Sequence, residues 1–240
     1  MKKLFIVMLL IGLSNAILAE EPSFNFTTGV FSDYVWRGQR AVDGGVSQTS
    51  ITAKWENLAL TGWGNLDLTN KNDQSGNITE INGILDYSNE LSDGVGYSLG
   101  LIVYDFPHSD APITTEIYAG LNFDVFLKPS IAIYRDIDEV DGTYASVGIE
   151  HTFENGCLPL TISSLVGWGD NDYNSAYWDK DKNNFNDFVL SLSTLIEVND
   201  WKITPSISYI SLIGEKVRDS KSFGEDSDFI VVGINFSLDF

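Results

Sequence analysis

Apolar residues recur at every second position along most of this chain, and the alternation restarts after each polar break. Within 95–106, Val95, Tyr97, Leu99, Leu101 and Val103 share one face, opposite Gly96, Ser98, Gly100 and Tyr104. Within 113–123, Thr115, Ile117, Ala119, Leu121 and Phe123 oppose Glu116, Tyr118, Gly120 and Asn122. Within 142–153, Ala145, Val147, Ile149 and Phe153 oppose Tyr144, Ser146, Gly148, Glu150 and Thr152. A side-chain period of two belongs to strands with one apolar and one polar face. The pattern predicts twelve strands, at 24–37, 46–55, 58–68, 77–88, 95–106, 113–123, 127–137, 142–153, 159–169, 185–198, 201–213 and 227–240.

The connections alternate in kind. Those at 56–57, 89–94, 124–126, 154–158 and 199–200 are short and turn-like, while 38–45, 69–76, 107–112, 138–141, 170–184 and 214–226 are mostly polar and several are longer. An even number of antiparallel strands with loops sorted this way predicts an all-β, closed transmembrane barrel, with short periplasmic turns and longer extracellular loops. The apolar face is expected to be the outer one, because Gly and Ser cannot fill the centre of a twelve-strand barrel. Phe24, Phe26, Trp55, Tyr87, Tyr97, Phe123, Phe153, Trp201 and Phe240 fall near the short-turn edge. Tyr34, Trp36, Trp168 and Tyr209 fall near the other. These are expected to form two interfacial belts.

Both ends of the sequence point to the same compartment. Lys2 and Lys3 precede an apolar run at 4–13 and a small-residue exit at 14–19, the form of a secretory signal peptide with cleavage expected after Ala19, or alternatively after Ala16. That run is too short to span a bilayer as a helix. Residues 20–240 are then expected to form one outer-membrane barrel domain. The closing alternation of Phe236, Leu238 and Phe240 resembles the C-terminal signal read by the outer-membrane barrel-assembly machinery, so that machinery and outer-membrane lipids are expected partners. Without residues 1–19 the chain has 34 acids and 12 bases, which excludes nucleic acid as a partner. Apolar residues at 43% and aromatics at 12% argue against disorder. Cys157 is the single cysteine, so neither a disulfide framework nor a thiolate metal cluster is available.

Ser32-Asp33-Tyr34-Val35-Trp36-Arg37-Gly38, followed after a spacer by Ser47-Gln48-Thr49, resembles the opening signature of the TorF-like family of proteobacterial outer-membrane porins. Trp63-Gly64-Asn65 is similar to that family's aromatic-glycine segment. In the family Ser-Gln-Thr follows the first motif closely, and the match covers roughly residues 30–70. The resemblance implies a porin-like barrel.

Strand parity assigns the interior charges. Tyr34 and Trp36 are expected outward, which turns Asp33 and Arg37 inward. Asp67, Glu80, Asp86, Glu116, Asp136, Glu150 and Asp239 join them on the acidic side, and Lys54, Lys128 and Lys202 on the basic side. The lumen is therefore expected to be acid-rich, favouring cations. Arg37 is expected to form a lateral field with Asp67 and Glu80, to hold the first strand in register through an interior salt bridge, or both.

The candidate enzyme features are weak. His108-Ser109-Asp110 are consecutive in a loop and cannot align as nucleophile, base and orienter, and His151 is expected outward. Asp170, Asp172, Asn174 and Asp181 mimic a calcium loop but lack its Gly at the sixth position and its Glu at the twelfth, so no cofactor or metal is expected. The expected activity is a passive, weakly cation-preferring channel for small solutes, with oligomeric state left open. A barrel hydrolase acting on lipid or peptide, or a plugged structural barrel, are the competing classes.

Overall fold

In the computed structural model, which describes residues 21–154 and 156–240, the alternating segments pair into a closed antiparallel barrel of twelve strands. The expected signal peptide at 1–19 lies outside the described residues. The barrel runs β1 (Ser23–Phe31), β4 (Val46–Trp55), β5 (Leu58–Asp67), β6 (Ile78–Ser92), β7 (Val95–Asp105), β8 (Thr114–Phe123) and β9 (Ser130–Asp136). It continues through β10 (Thr143–Phe153), β11 (Leu160–Gly169), β12 (Asn184–Thr194) with its extension β13 (Ile196–Val198), β14 (Trp201–Leu212) and β15 (Asp228–Asp239). Every strand pairs with its barrel neighbours in sequence, and β1 closes the sheet on β15 with Asn25 opposite Asp239 and Phe31 opposite Gly233.

The two faces separate by parity. Outward positions carry large apolar side chains left open to the surroundings, such as Val30, Ile51, Leu60, Leu99, Ile117, Ile133, Val147, Leu190, Ile207, Ile230 and Val232. An apolar face of that extent suits lipid rather than water. Inward positions on the half nearest the termini are small and polar, and they bond to each other across strands. Thr27 bonds Ser237, Ser191 meets Ser208 at 2.7 Å, Thr52 meets Thr61 at 2.7 Å and Thr152 meets Thr161 at 2.9 Å. At the same end Phe24 stacks on Phe240 at 5.8 Å, and Trp201 sits opposite Leu238. The aromatic pair is worth about 0.5–1.5 kcal/mol beyond its buried area.

The first strand departs from expectation. It stops at Phe31, and the rest of the segment expected at 24–37 leaves the wall to form a separate ribbon, β2 (Tyr34–Trp36) with β3 (Gln39–Val42). Ser32 and Asp33 make the bend, so the parity that set Tyr34 and Trp36 outward is lost there. The ribbon turns at Arg37 and Gly38, with φ of 48° and 79°. Two successive positive φ values are the type I′ geometry whose twist matches paired strands. Gly38 is required for a second reason: a Cβ there would meet the side chains of Leu212 and Asp187 at 2.6 and 2.9 Å. Two loops on the ribbon's end of the barrel also carry helix, α1 (Asn171–Trp178) and α2 (Glu215–Arg218).

Gly233 is predicted to be intolerant of any side chain, because its Cβ would fall 2.1 Å from the inward Phe31 ring, whereas a Cβ at Gly83 meets nothing within 4 Å. Gly233→Ala should cost about 1–3 kcal/mol and Gly83→Ala less than about 0.5 kcal/mol. Urea titration of barrels folded into phospholipid vesicles measures both; equal costs would contradict this packing of the first and last strands.

Candidate functional site: the lumenal hairpin

The ribbon lies inside the barrel, because its tip touches strands all around the wall. Arg37 bonds Glu116 on β8 through two parallel contacts of 2.8 Å. Its guanidinium carbon lies 4.4 Å from the Tyr134 ring centroid on β9 and 4.5 Å from that of Tyr144 on β10. Gly38 faces β12 and β14 through Asp187 and Leu212. Tyr34 meets Trp63 on β5 at 5.7 Å, and Trp36 meets Tyr104 on β7 at 5.9 Å. Such a spread of partners is possible only for a segment in the lumen.

Arg37 is the centre of this packing. Its own neighbour Trp36 supplies a third ring at 4.3 Å, so three aromatic faces and one carboxylate surround the guanidinium. Tyr104 donates to the second oxygen of Glu116 at 2.8 Å, which completes the carboxylate's partners. Side-chain exposure is 9% for Arg37 and 3% for Glu116. A planar, delocalised cation suits this box, since it stacks and forks at once. At the base of the ribbon Arg40 bonds Asp33 and Asp43, both at 2.6 Å, and pins the two strands together. Asp43 has its carboxyl held below the usual range, first by its hydrogen bond to Lys71 and then by Arg40.

A small apolar core closes around the ribbon. Tyr144, Tyr173, Trp178, Leu212 and Val217 are buried together, with Tyr134, Tyr177 and Phe223 against them. α1 reaches this core because Asp170 caps it, accepting the Tyr173 amide at 2.8 Å. Burial disfavours the Asp170 carboxylate, but backbone amides of Thr143 and Tyr173 and the charge of Arg135 outweigh that and lower its pKa. Tyr173 in turn accepts from the Gln39 amide at 2.9 Å, tying helix to ribbon. The calcium-like stretch at 170–181 is thus mostly helix, and no group of three metal-ligating side chains occurs among the described residues.

The predicted site residues divide between two places. Asp33, Arg37, Asp67, Glu80 and Glu116 gather at the ribbon's end of the lumen. Asp67 bonds Asn65 and Thr79, and Glu80 accepts from Asn82 at 2.7 Å. Asp86 lies farther along the wall and takes the hydroxyls of Tyr118 and Ser88. Lys54 and Glu150 face the open half, where both are exposed. Asp136 accepts amides of Asp138, Val140 and Asp141 and the Thr114 hydroxyl, so it shapes a loop. Lys128 falls in the turn before β9, not on a strand. Phe236 and Leu238 are outward on β15, with Phe240 just beyond it. His108 turns its Nδ1 to the Ile78 carbonyl at 3.2 Å, away from any triad arrangement with Ser109 and Asp110.

Sequence reasoning missed Tyr104, Tyr134, Tyr144, Tyr173 and Asp187, which build the box and its surroundings. Parity does turn Tyr104 and Tyr144 inward, but an uncharged tyrosine on that face carries no signal that marks it as part of a box. Asp187 was hidden by a bulge: opposite Val166 and Trp168 the register of β12 shifts, and parity fails across it. Asp187 accepts the Tyr144 hydroxyl at 3.0 Å.

Between the ribbon and the wall lies a cavity of about 180 Å³, lined by Tyr34, Trp36, Gln39, Ala41, Tyr104, Phe106, Tyr177, Phe223, Thr114 and Glu80.

No protein-family model matches the chain, and no curated protein matches it in sequence. Solved structures do match in fold. The NanC porin is 15% identical, covering 90% of this chain and 98% of its own, with a TM-score of 0.54. An outer-membrane channel from Pseudomonas putida F1 is 8% identical, covering 95% of this chain and 98% of its own, with a TM-score of 0.55. The shared property is the barrel.

Breaking the box from either side is predicted to be costly. Arg37→Met and Glu116→Gln should each destabilise the folded barrel by about 3–5 kcal/mol, because each strands a buried charge or its partners, while the double variant should lose much less than their sum. A double-mutant cycle in denaturant measures this; additive losses would show that the two side chains do not act as a pair.

Proposed function

We propose that this protein is an outer-membrane channel for small solutes, with weak preference for cations, whose narrowest zone is the space left between the lumenal ribbon and the wall. The observation that carries this reading is the composition of the inner face. It runs from a small, polar, open half, past Asp86 on the wall, into a zone where Asp67, Glu80 and Asp187 sit, and none of these four acids forms an ion pair among the described residues. The buried cation there, Arg37, is already matched by Glu116. The remaining lumenal charge is thus acidic, and in a confined, low-dielectric passage such charge acts strongly on a passing ion.

The likeness in fold to NanC and to the Pseudomonas putida channel supports a channel, and the signature at 32–38 supports a porin of the TorF-like kind. That signature coincides with the ribbon and its turn, which gives its Tyr, Trp, Arg and Gly a physical role. They fill and narrow a barrel too wide for its own wall residues. In this reading the short turns and both ends of the strand path face the periplasm, and the ribbon, α1 and α2 lie toward the cell exterior.

Selectivity separates lumen from loop. Neutralising Glu80 and Asp86 to Gln and Asn should lower the cation preference, read as the reversal potential across a planar bilayer in a salt gradient. Neutralising the exposed loop acids Asp179, Asp181 and Glu225 should shift it much less, since charges in open water are screened within about 8–10 Å. A larger shift from the loop set would place the filter at the mouth and overturn this assignment.

A further inference from the structure

We propose that the cavity beside the ribbon is a binding site for a small alkylammonium ion, such as a quaternary amine. The inference deepens the channel reading, since it names the class of solute for which the passage holds a station.

Two features of the cavity point to that chemistry. The first is a carboxylate with no counter-charge. Glu80 is 7% exposed, it accepts from the neutral Asn82 amide, the Tyr34 hydroxyl is turned toward it, and among the described residues it forms no ion pair. A buried carboxylate held only by neutral donors is an expensive arrangement unless a cation completes it. The barrel solves the same problem for Glu116 with Arg37, so the contrast between the two acids is internal to one structure.

The second feature is the wall around Glu80. Tyr34, Trp36, Tyr104, Phe106, Tyr177 and Phe223 line the same space, and no basic side chain does. Trp36 meets both Tyr104 and Tyr177 edge-on, at 5.9 and 5.6 Å and 69° each, so these rings stand at angles to one another instead of stacking flat. Rings set at angles leave faces uncovered by one another, and it is the ring face, not the edge, that carries the negative potential. An aromatic lining with a carboxylate beside it suits a soft cation. A sugar would ask for free donors around its rim, yet Gln39, Tyr104 and Thr114 already donate to Tyr173, Glu116 and Asp136. The size fits as well: about 180 Å³ lies below the ~300–1,000 Å³ of sites for drug-sized ligands.

Charge and shape can be separated with choline and its neutral isostere 3,3-dimethylbutan-1-ol, titrated calorimetrically into the full barrel folded in detergent. Choline should saturate one site, and the isostere should bind about tenfold more weakly or not at all. Glu80→Gln, checked for folding by its heat-modifiable gel shift, should weaken choline about tenfold and leave the isostere unchanged. Trp36→Leu should weaken both. Equal binding of choline and isostere by the wild-type barrel would overturn the proposal without any variant, and so would unchanged choline affinity in Glu80→Gln. Because binding is read in detergent, a barrel that binds choline but passes no current would defeat the channel reading and leave this site standing. Conduction with no choline binding would do the reverse.

Discussion

A twelve-strand circumference encloses more space than the wall's own inward residues can fill, and the rest of this structure follows from that constraint. The inward positions of β7, β8 and β10 include Gly96, Ser98, Gly120 and Gly148, small residues that cannot fill the half of the lumen nearest the termini. On the other half the chain supplies the missing volume from its first loop. The ribbon folds inward and meets rings from five strands: Trp63, Tyr104, Tyr134, Tyr144 and Phe229. What holds it there is a charge pair. An arginine surrounded by three rings and forked onto Glu116 is stable in a dry site only because every part of it has a partner. The same pair makes the ribbon's position specific, since a shift of one residue would bury an unmatched guanidinium.

This arrangement gives the two halves of the lumen different physical characters. One is open, small-residued and bound by hydroxyl pairs across strands. The other is a packed core in which Tyr173, Trp178, Leu212 and Val217 join a helix, a helical turn and the wall. The proposed function rests on the seam between them, where polar wall residues meet the ribbon and Glu80 forms no ion pair among the described residues. That seam carries a buried carboxylate and an aromatic lining.

Most of the barrel was legible in the sequence because period-two alternation is a local signal. The strand at 46–55 is matched residue for residue, and 58–68, 95–106, 113–123 and 201–213 each differ from the observed strands by about one residue. The ribbon was not legible for the same reason. Tyr34 and Trp36 continue the alternation of β1 without a break, and only the bend at Ser32-Asp33 and the turn at Arg37-Gly38 reveal that the chain has left the wall. Parity still turned Arg37 inward, although by a path that does not exist. The partners of Arg37 could not be found from sequence, because Glu116, Tyr134 and Tyr144 belong to three different strands and meet only when the barrel closes. Asp187 was concealed by a bulge, and the helix at 171–178 by a composition that reads as a polar loop.

The central claim is that the ribbon sets the width of the lumen, and single-channel conductance tests it most directly. Residues 33–44 would be replaced by a short Gly-Ser linker that still joins β1 to β4, and current steps in a planar bilayer compared with those of the intact barrel. The account predicts small steps for the intact protein and a several-fold larger conductance once the ribbon is gone, with weaker discrimination between ions. Equal conductance in the two barrels, or a larger current in the intact one, would contradict it.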